Sequence, residues 1–254
     1  MENVIHTIDA SNVDRYGFFC YKSKPKTLGF RQKREWLESC LAEGLRLKIL
    51  YEGERSAGFI EYAPGEYAWR VVNASGFMVI HCMWVVGSGK GKGYGKRLLE
   101  HVESEAQSRG MFGVIALCSQ STWLAKKGFF LSQGYRIVDH APPSFELLVK
   151  AFGSPTLPDF PQDWDERLQR IPQGLVVYHS GQCPYLAMFV SSLENAASQL
   201  DLPFQTVELH SSHEARQLSP SAYGVFGVVY NGRLLSYRPM GGKTLREMLG
   251  RPDG

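Results

Sequence analysis

Short apolar runs alternate with amphipathic stretches along the first 150 positions. NVIHTI (3–8) predicts a strand, and Asn12-Val13-Asp14 opens a helical turn. In FRQKREWLESCLAEG (30–44), Trp36, Leu37, Cys40 and Leu41 recur at helical spacing before a terminating Gly44. LRLKILYEG and RSAGFIEYA predict two strands around a Glu52-Gly53 turn, and FMVIHCMWVV (77–86) a strongly apolar strand. A glycine-rich loop follows, then a helix with Leu98, Leu99, Val102 and Ala106 on one face, ending at Gly110. FGVIALCS predicts another strand, WLAKKGFFLSQG a short helix and YRIVDH a strand.

The character changes at GSPTLPDFPQDWDERLQRIPQG, where prolines recur and apolar periodicity fades, as in a linker. A new alternation follows: GLVVYHS as strand, CPYLAMFVSSLENAASQL as helix, FQTVELH as strand and HEARQLS as short helix. YGVFGVVYNGRLLSYR predicts a hairpin turning at Asn231-Gly232, and TLREMLG a last helix. The expectation is two α/β domains, 1–152 and 174–254, joined by a Pro-rich linker at 153–173.

Composition narrows the class. The chain has 254 residues, 44% of them hydrophobic, enough for one or two globular cores. Its net charge of +3, with basic residues dispersed outside the glycine loop and a KSKPK stretch, gives no nucleic-acid partner. The five cysteines (20, 40, 82, 118 and 183) form no CxxC pair and no metal-ligand spacing. No metal is expected, and a reduced cytoplasmic setting is. No apolar run approaches the ~20 residues of a membrane span, and the N-terminal residues lack a secretory-leader pattern. No membrane partner is expected, and the sequence sets no oligomeric state.

The strand at 77–86 and the next helix are joined by VGSGKGKGYGKR (86–97). Three phosphate-binding patterns compete for it. A Walker loop needs G-x4-G-K-[ST], and no Lys here precedes Ser or Thr. A dinucleotide G-x-G-x-x-G fails too: from Gly87, Gly89, Gly91 or Gly93 the third glycine is Lys92, Tyr94, Lys96 or Leu98. What fits is a basic residue, then x-x-G-x-G: Lys90, Gly93 and Gly95, after a strand and opening a helix.

That loop resembles the pyrophosphate loop of the GNAT acyl-CoA-dependent N-acetyltransferases, and the resemblance runs over about residues 3–150. FMVIHCMWVV is similar to that family's fourth strand, which splays from the fifth (here VIALCS) so that pantetheine lies between them. LAKKGFFLSQGY is similar to the helix against which the adenine side packs. The resemblance implies a GNAT fold (α/β, α+β) with a mixed, splayed central sheet, and acetyl-CoA as co-substrate. It implies a cofactor surface of Met83, Val85, Val86, Lys90, Gly91, Lys92, Gly93, Tyr94, Gly95, Lys96, Trp123 and Phe130. Backbone N–H groups at the helix N-terminus would converge on the pyrophosphate, each charge-assisted bond contributing roughly 1.5–3 kcal/mol. Amides near Val85 would polarise the thioester carbonyl. Phe130 stands where the family often has a tyrosine that protonates the leaving thiolate, and Trp123 where an asparagine is common.

Deprotonating an attacking ammonium needs a base. His81 is expected to face the same way as Met83 and Val85. Glu61 and Glu66 offer carboxylates that hold or deprotonate a cationic amine, with Tyr62, Tyr67 and Trp69 as an aromatic wall. A structural histidine and a solvated strand edge are the alternatives. Cys82 and Cys118 read as core, and loops around 20–30 and 61–75 shape the acceptor site.

In the second segment, GLVVYHSGQCPYLAMF resembles the glutaredoxin branch of the thioredoxin fold, whose motif is Cys-Pro-Tyr-Cys; Leu186 replaces the second cysteine. The helix dipole stabilises a thiolate at Cys183 on this reading. The missing second cysteine, and the lack of a proline before the hairpin strand, favour a recognition or structural module over a thiol catalyst. His179 reads as a strand residue. The tandem order looks like the YoaP-like group of bacterial GNAT proteins. The expected function is acetyl transfer from acetyl-CoA to a primary amine of a small, cationic molecule by direct attack. An acyl-CoA-binding sensor without turnover, and monothiol redox chemistry at Cys183, stay open.

Overall fold

The computed structural model describes residues 3–120 and 123–250. The outer limits of the expected domains, 1 and 254, lie outside the described residues. The first apolar runs form β1 (Asn3–Ile8), β2 (Arg46–Glu52), β3 (Arg55–Pro64), β4 (Phe77–Val85) and β5 (Gly113–Cys118). Two more strands follow, β6 (Arg136–Ala141) and β7 (Phe145–Ala151). They make one seven-stranded sheet of order β1-β2-β3-β4-β5-β7-β6, antiparallel except at the central β4–β5 pair. This is the mixed, open sheet of a GNAT-like α/β fold.

The short helix α1 spans Val13–Tyr16, and the long helix α2 spans Leu28–Ala42. α3 (Tyr94–Ser108) lays Leu98, Leu99, Val102 and Ala106 on one face of the sheet, where Ile60, Met78, Ile80 and Ala116 meet them. α4 (Lys127–Ser132) begins later than the apolar pattern from Trp123 predicts. The opposite face is covered by α2, through Trp36, Leu37 and Cys40, and by the C-terminal unit.

β7 escapes a reading based on alternation because Leu147, Leu148 and Val149 are all fully buried. A strand between two others and covered on both faces reads as a continuous apolar run. The stretch at 153–173 is not a bare linker. It holds α5 (Trp164–Gln169), buries Phe160, Trp164 and Ile171, and bridges Asn73 to Asp159.

The C-terminal unit contains β8 (Leu175–Ser180), α6 (Leu186–Gln199), β9 (Phe204–Leu209), α7 (Ser212–Leu218), β10 (Phe226–Tyr230), β11 (Arg233–Ser236) and α8 (Gly242–Leu249). Its open four-stranded sheet has the order β11-β10-β8-β9, with β8 and β9 parallel. The hairpin turns at Asn231 (φ 48°) and Gly232 (φ 74°), both left-handed as a two-residue primed turn requires. One hydrophobic cluster runs from Trp36 and Trp69 through Trp164 to Tyr223 and Phe226, so the two sheets share a core. Contact is close enough that a Cβ at Gly29 in α2 would meet the Pro184 carbonyl oxygen at 1.9 Å. Among the described residues no helix is long and apolar enough to cross a membrane.

Candidate active site

β4 and β5 pair only from Phe77↔Gly113 to Ile80↔Ala116. β4 continues to Val85 with β3 on one side and a cleft on the other. The glycine loop follows directly on this unpaired end of β4. Gly91 (φ 79°) and Gly93 (φ 76°) are left-handed, and Gly93 is the N-cap of α3. Among the described residues, the backbone N–H groups of Gly91, Gly93, Tyr94, Gly95 and Lys96 have no protein acceptor. A Cβ at Gly87, Gly91 or Gly93 would meet no atom within 4 Å, so the space above the loop is open. Unused donors, the positive end of a helix and open space fit a pyrophosphate.

The side chains divide. Lys90 and Lys96 are exposed at the loop, whereas Lys92 is held by Glu52 at 2.7 Å. The Tyr94 ring is buried in the core under α3, so only its N–H faces the loop. Phe130 is 1% exposed, packed on Phe129 and Tyr135, and offers a cofactor only a buried wall. Val86 N–H is taken by Ala57 O.

The β3–β4 register jumps from Tyr62↔Ile80 to Glu61↔Cys82, leaving His81 as an extra, bulged residue. The bulge breaks the alternation that sets His81 beside Met83 and Val85. Those two pack against the α3 side, while His81 Nε2 accepts the Trp69 N–H at 3.1 Å. Burial, then the Arg70 and Lys33 charges, hold the imidazole well below its usual range. His81 is therefore neutral with its accepting nitrogen already used, and its Nδ1 has no partner. Buried and with Nε2 engaged by Trp69, it presents no free lone pair to the cavity.

Beside the cleft lies a cavity of about 500 Å3, within the range of small-molecule sites. Its walls are Phe18, Phe19, Tyr21, Phe59, Tyr185 and Tyr223, so the C-terminal unit builds one side. Phe19 (φ 77°) and Tyr21 (φ 60°) are left-handed, a strain of about 1–3 kcal/mol each that concentrates at functional sites. The acidic residue is Glu61, 1% exposed, which accepts from Lys33 Nζ at 2.5 Å and Gln182 Nε2 at 2.8 Å. Cys82, Met83, Trp123 and Leu124 line both this cavity and a small void of about 20 Å3 between β4 and β5.

Three cysteines distant in sequence, Cys20, Cys82 and Cys183, share the cavity. Burial pushes the Cys20 thiol up to about 12 and raises those of Cys82 and Cys183. At Cys183 burial outweighs the favourable backbone hydrogen bond, so the thiol is shifted up and not down as the helix end alone would shift it. Cys118 is buried in the core and donates to Ala125 O at 3.2 Å. Among the described residues no group of three or more His, Cys, Asp or Glu side chains is placed to hold a metal.

The aromatic wall expected from Tyr62, Tyr67 and Trp69 is elsewhere. Tyr62 donates to Glu105 on the far face, Tyr67 is exposed and Trp69 is core. Glu66 accepts from Ser75 Oγ and Gly76 N–H outside the cavity. Tyr185 belongs to the Cys-Pro-Tyr motif, whereas Arg70, Gln182 and Tyr223 carry no sequence signal as site residues. Lys33 carries one, because it shares a helix face with Trp36, Leu37 and Cys40.

A profile described as the Acetyltransferase (GNAT) family matches residues 13–135. The chain is 32% identical over 224 residues to the "Uncharacterized N-acetyltransferase YoaP" of Bacillus subtilis (strain 168), covering 86% of each. That span reaches well into the C-terminal unit. Similar solved structures include the ribosomal-protein-alanine N-acetyltransferase from Brucella melitensis, at 16% identity and TM-score 0.45 over 59% of this chain and 99% of that one. A GNAT family acetyltransferase from Brucella melitensis in complex with acetyl-CoA has 16% identity and TM-score 0.41, over 63% and 94%.

Proposed function

The chain belongs to the GNAT acetyltransferase family and passes acetyl from acetyl-CoA to an amine; we propose that the amine is a small molecule bound in the aromatic cavity beside β4. The observation that carries this reading is the set of residues common to the cavity and the small void where β4 and β5 part: Cys82, Met83, Trp123 and Leu124. An acceptor in the cavity would meet a thioester lying along the free edge of β4.

The glycine loop would hold the pyrophosphate through the N–H groups of Gly91, Gly93, Tyr94, Gly95 and Lys96, with Lys90 adding charge. Acetyl-CoA supplies an activated acyl group. Glu61 is the carboxylate facing the cavity; it holds the acceptor ammonium and takes one proton from it before attack. The neutral amine then attacks the carbonyl, the C–N bond forms, the C–S bond breaks, and the second proton shed by the nitrogen passes through water to the departing thiolate. Transfer is direct: burial keeps Cys20, Cys82 and Cys183 as weakly nucleophilic thiols.

The unit from about 174 to 254 we assign as a thioredoxin-like module that works by recognition, following the segment at 153–173. The strand order β11-β10-β8-β9 and the parallel β8–β9 pair support the assignment, and the walls it lends the cavity support the role. Free cysteines throughout go with a cytoplasmic setting.

Calorimetric titration of acetyl-CoA into the protein tests the cofactor site. Saturable binding should weaken at least about tenfold in Gly93→Val, whose branched side chain fills the space above the loop. No binding to the native chain, or equal binding to a folded variant, overturns the reading.

A further inference from the structure

The cavity floor carries an unbalanced charge. Its ionic groups are Lys33, Arg70 and Glu61, two cations against one carboxylate. Glu61 is matched by Lys33 at 2.5 Å. Arg70 is 1% exposed, and among the described residues no carboxylate pairs with it. Its terminal nitrogens donate to the carbonyls of Tyr223 and His81, its face lies over the Tyr223 ring at 4.5 Å, and its Nε has no acceptor. A guanidinium is always charged, and a buried charge without a counter-ion is strongly disfavoured. Carbonyl dipoles and a ring orient it without neutralising it. The same positive surplus reaches His81, whose imidazole is kept neutral in part by Arg70 and Lys33.

We propose that the acceptor is an amino acid with an aromatic or other apolar side chain, its carboxylate paired with Arg70, its amine at Glu61 and its side chain between the cavity's rings. A bare cationic amine would add a third positive charge to a site already in surplus. An amino-acid zwitterion brings no net charge and places its anionic end where the deficit is. The apolar part of the ligand meets Phe18, Phe19, Phe59 and Tyr185, and the Tyr21–Tyr185 pair, 4.5 Å between centroids, stands at the same wall. The C-terminal unit contributes to specificity twice, because Tyr223 fixes Arg70 and Gln182 fixes Glu61. The inference rests on the acetyltransferase reading only for the chemistry that follows binding.

Calorimetry with L-phenylalanine and L-tryptophan, each against its decarboxylated amine (phenethylamine, tryptamine) and its carboxamide, tests the proposal without acetyl-CoA. The acids are expected to bind at least about tenfold more tightly than either analogue lacking the carboxylate. In Arg70→Gln, checked for fold by circular dichroism, that ratio should collapse toward one. If Arg70→Gln does not fold, the comparison within the native protein decides. Amines or amides binding as tightly as the acids, or none of the six binding, overturns it. Binding of the acids without acetyl transfer would leave the proposal standing and count against the acetyltransferase reading alone.

Discussion

Lys33 and Glu61 form an ion pair whose side chains are 5% and 2% exposed, so removing one partner should be far costlier than removing both. Lys33→Met keeps an unbranched side chain, one atom shorter, that still reaches the Trp36 ring, where the ammonium now lies 4.2 Å from the centroid. It leaves Glu61 buried with Gln182 as its remaining donor. Breaking a buried pair in this way costs about 3–5 kcal/mol, while replacing both members with apolar groups is often near neutral. Lys33→Met and Glu61→Leu should each destabilise by about that amount, and the double variant should recover most of it. The expected coupling is about 3 kcal/mol or more. For a chain of this length about 2–4 °C accompany each kcal/mol, so each single variant should melt about 10 °C early. Urea denaturation followed by circular dichroism measures all four proteins. Single effects that sum to the double within about 0.5 kcal/mol would refute a desolvated pair. The restored double variant should still fail in acetyl transfer, since it has lost the protein carboxylate at 61 that holds the acceptor's amine.

Two further outcomes follow from the titrating groups. His81 stays neutral in the folded chain, while the unfolded chain binds a proton below about pH 6.5. Its stabilising contribution is complete above that pH and is lost as pH falls, at up to about 1.4 kcal/mol per pH unit. His81→Gln, which retains an acceptor for Trp69 N–H, should flatten the stability slope between about pH 6.5 and 5, and an unchanged slope would count against a neutral imidazole. The raised thiols of Cys20 and Cys183 should react with iodoacetamide in the native protein at least about tenfold more slowly than a free thiol at pH 7.5, quickening as pH rises. Rapid labelling of Cys183, located by peptide mass spectrometry, would restore the reactive-cysteine reading.

The local pattern of this chain determined most of its elements. Helical spacing at Trp36, Leu37, Cys40 and Leu41 gave α2, Asn231-Gly232 marked the hairpin, and the Lys90–Gly95 motif located the glycine turn that opens α3 from residue types alone. These features rest on interactions between near neighbours, which a short window contains. The cavity beside β4 does not. A single extra residue at His81 reverses the alternation on β4, and that bulge is fixed by pairing with β3, not by the run of apolar residues around it. β7 has no alternation to read because it is buried on both faces. Lys33 looks like an interruption of an apolar stripe until Glu61, 28 positions away, supplies its counter-charge. Gln182 and Tyr223 come from a second sheet to set the orientation of Glu61 and Arg70. Burial and charge balance are properties of what packs around a group, so the tertiary structure alone decided which carboxylate, which arginine and which aromatic rings line the cavity.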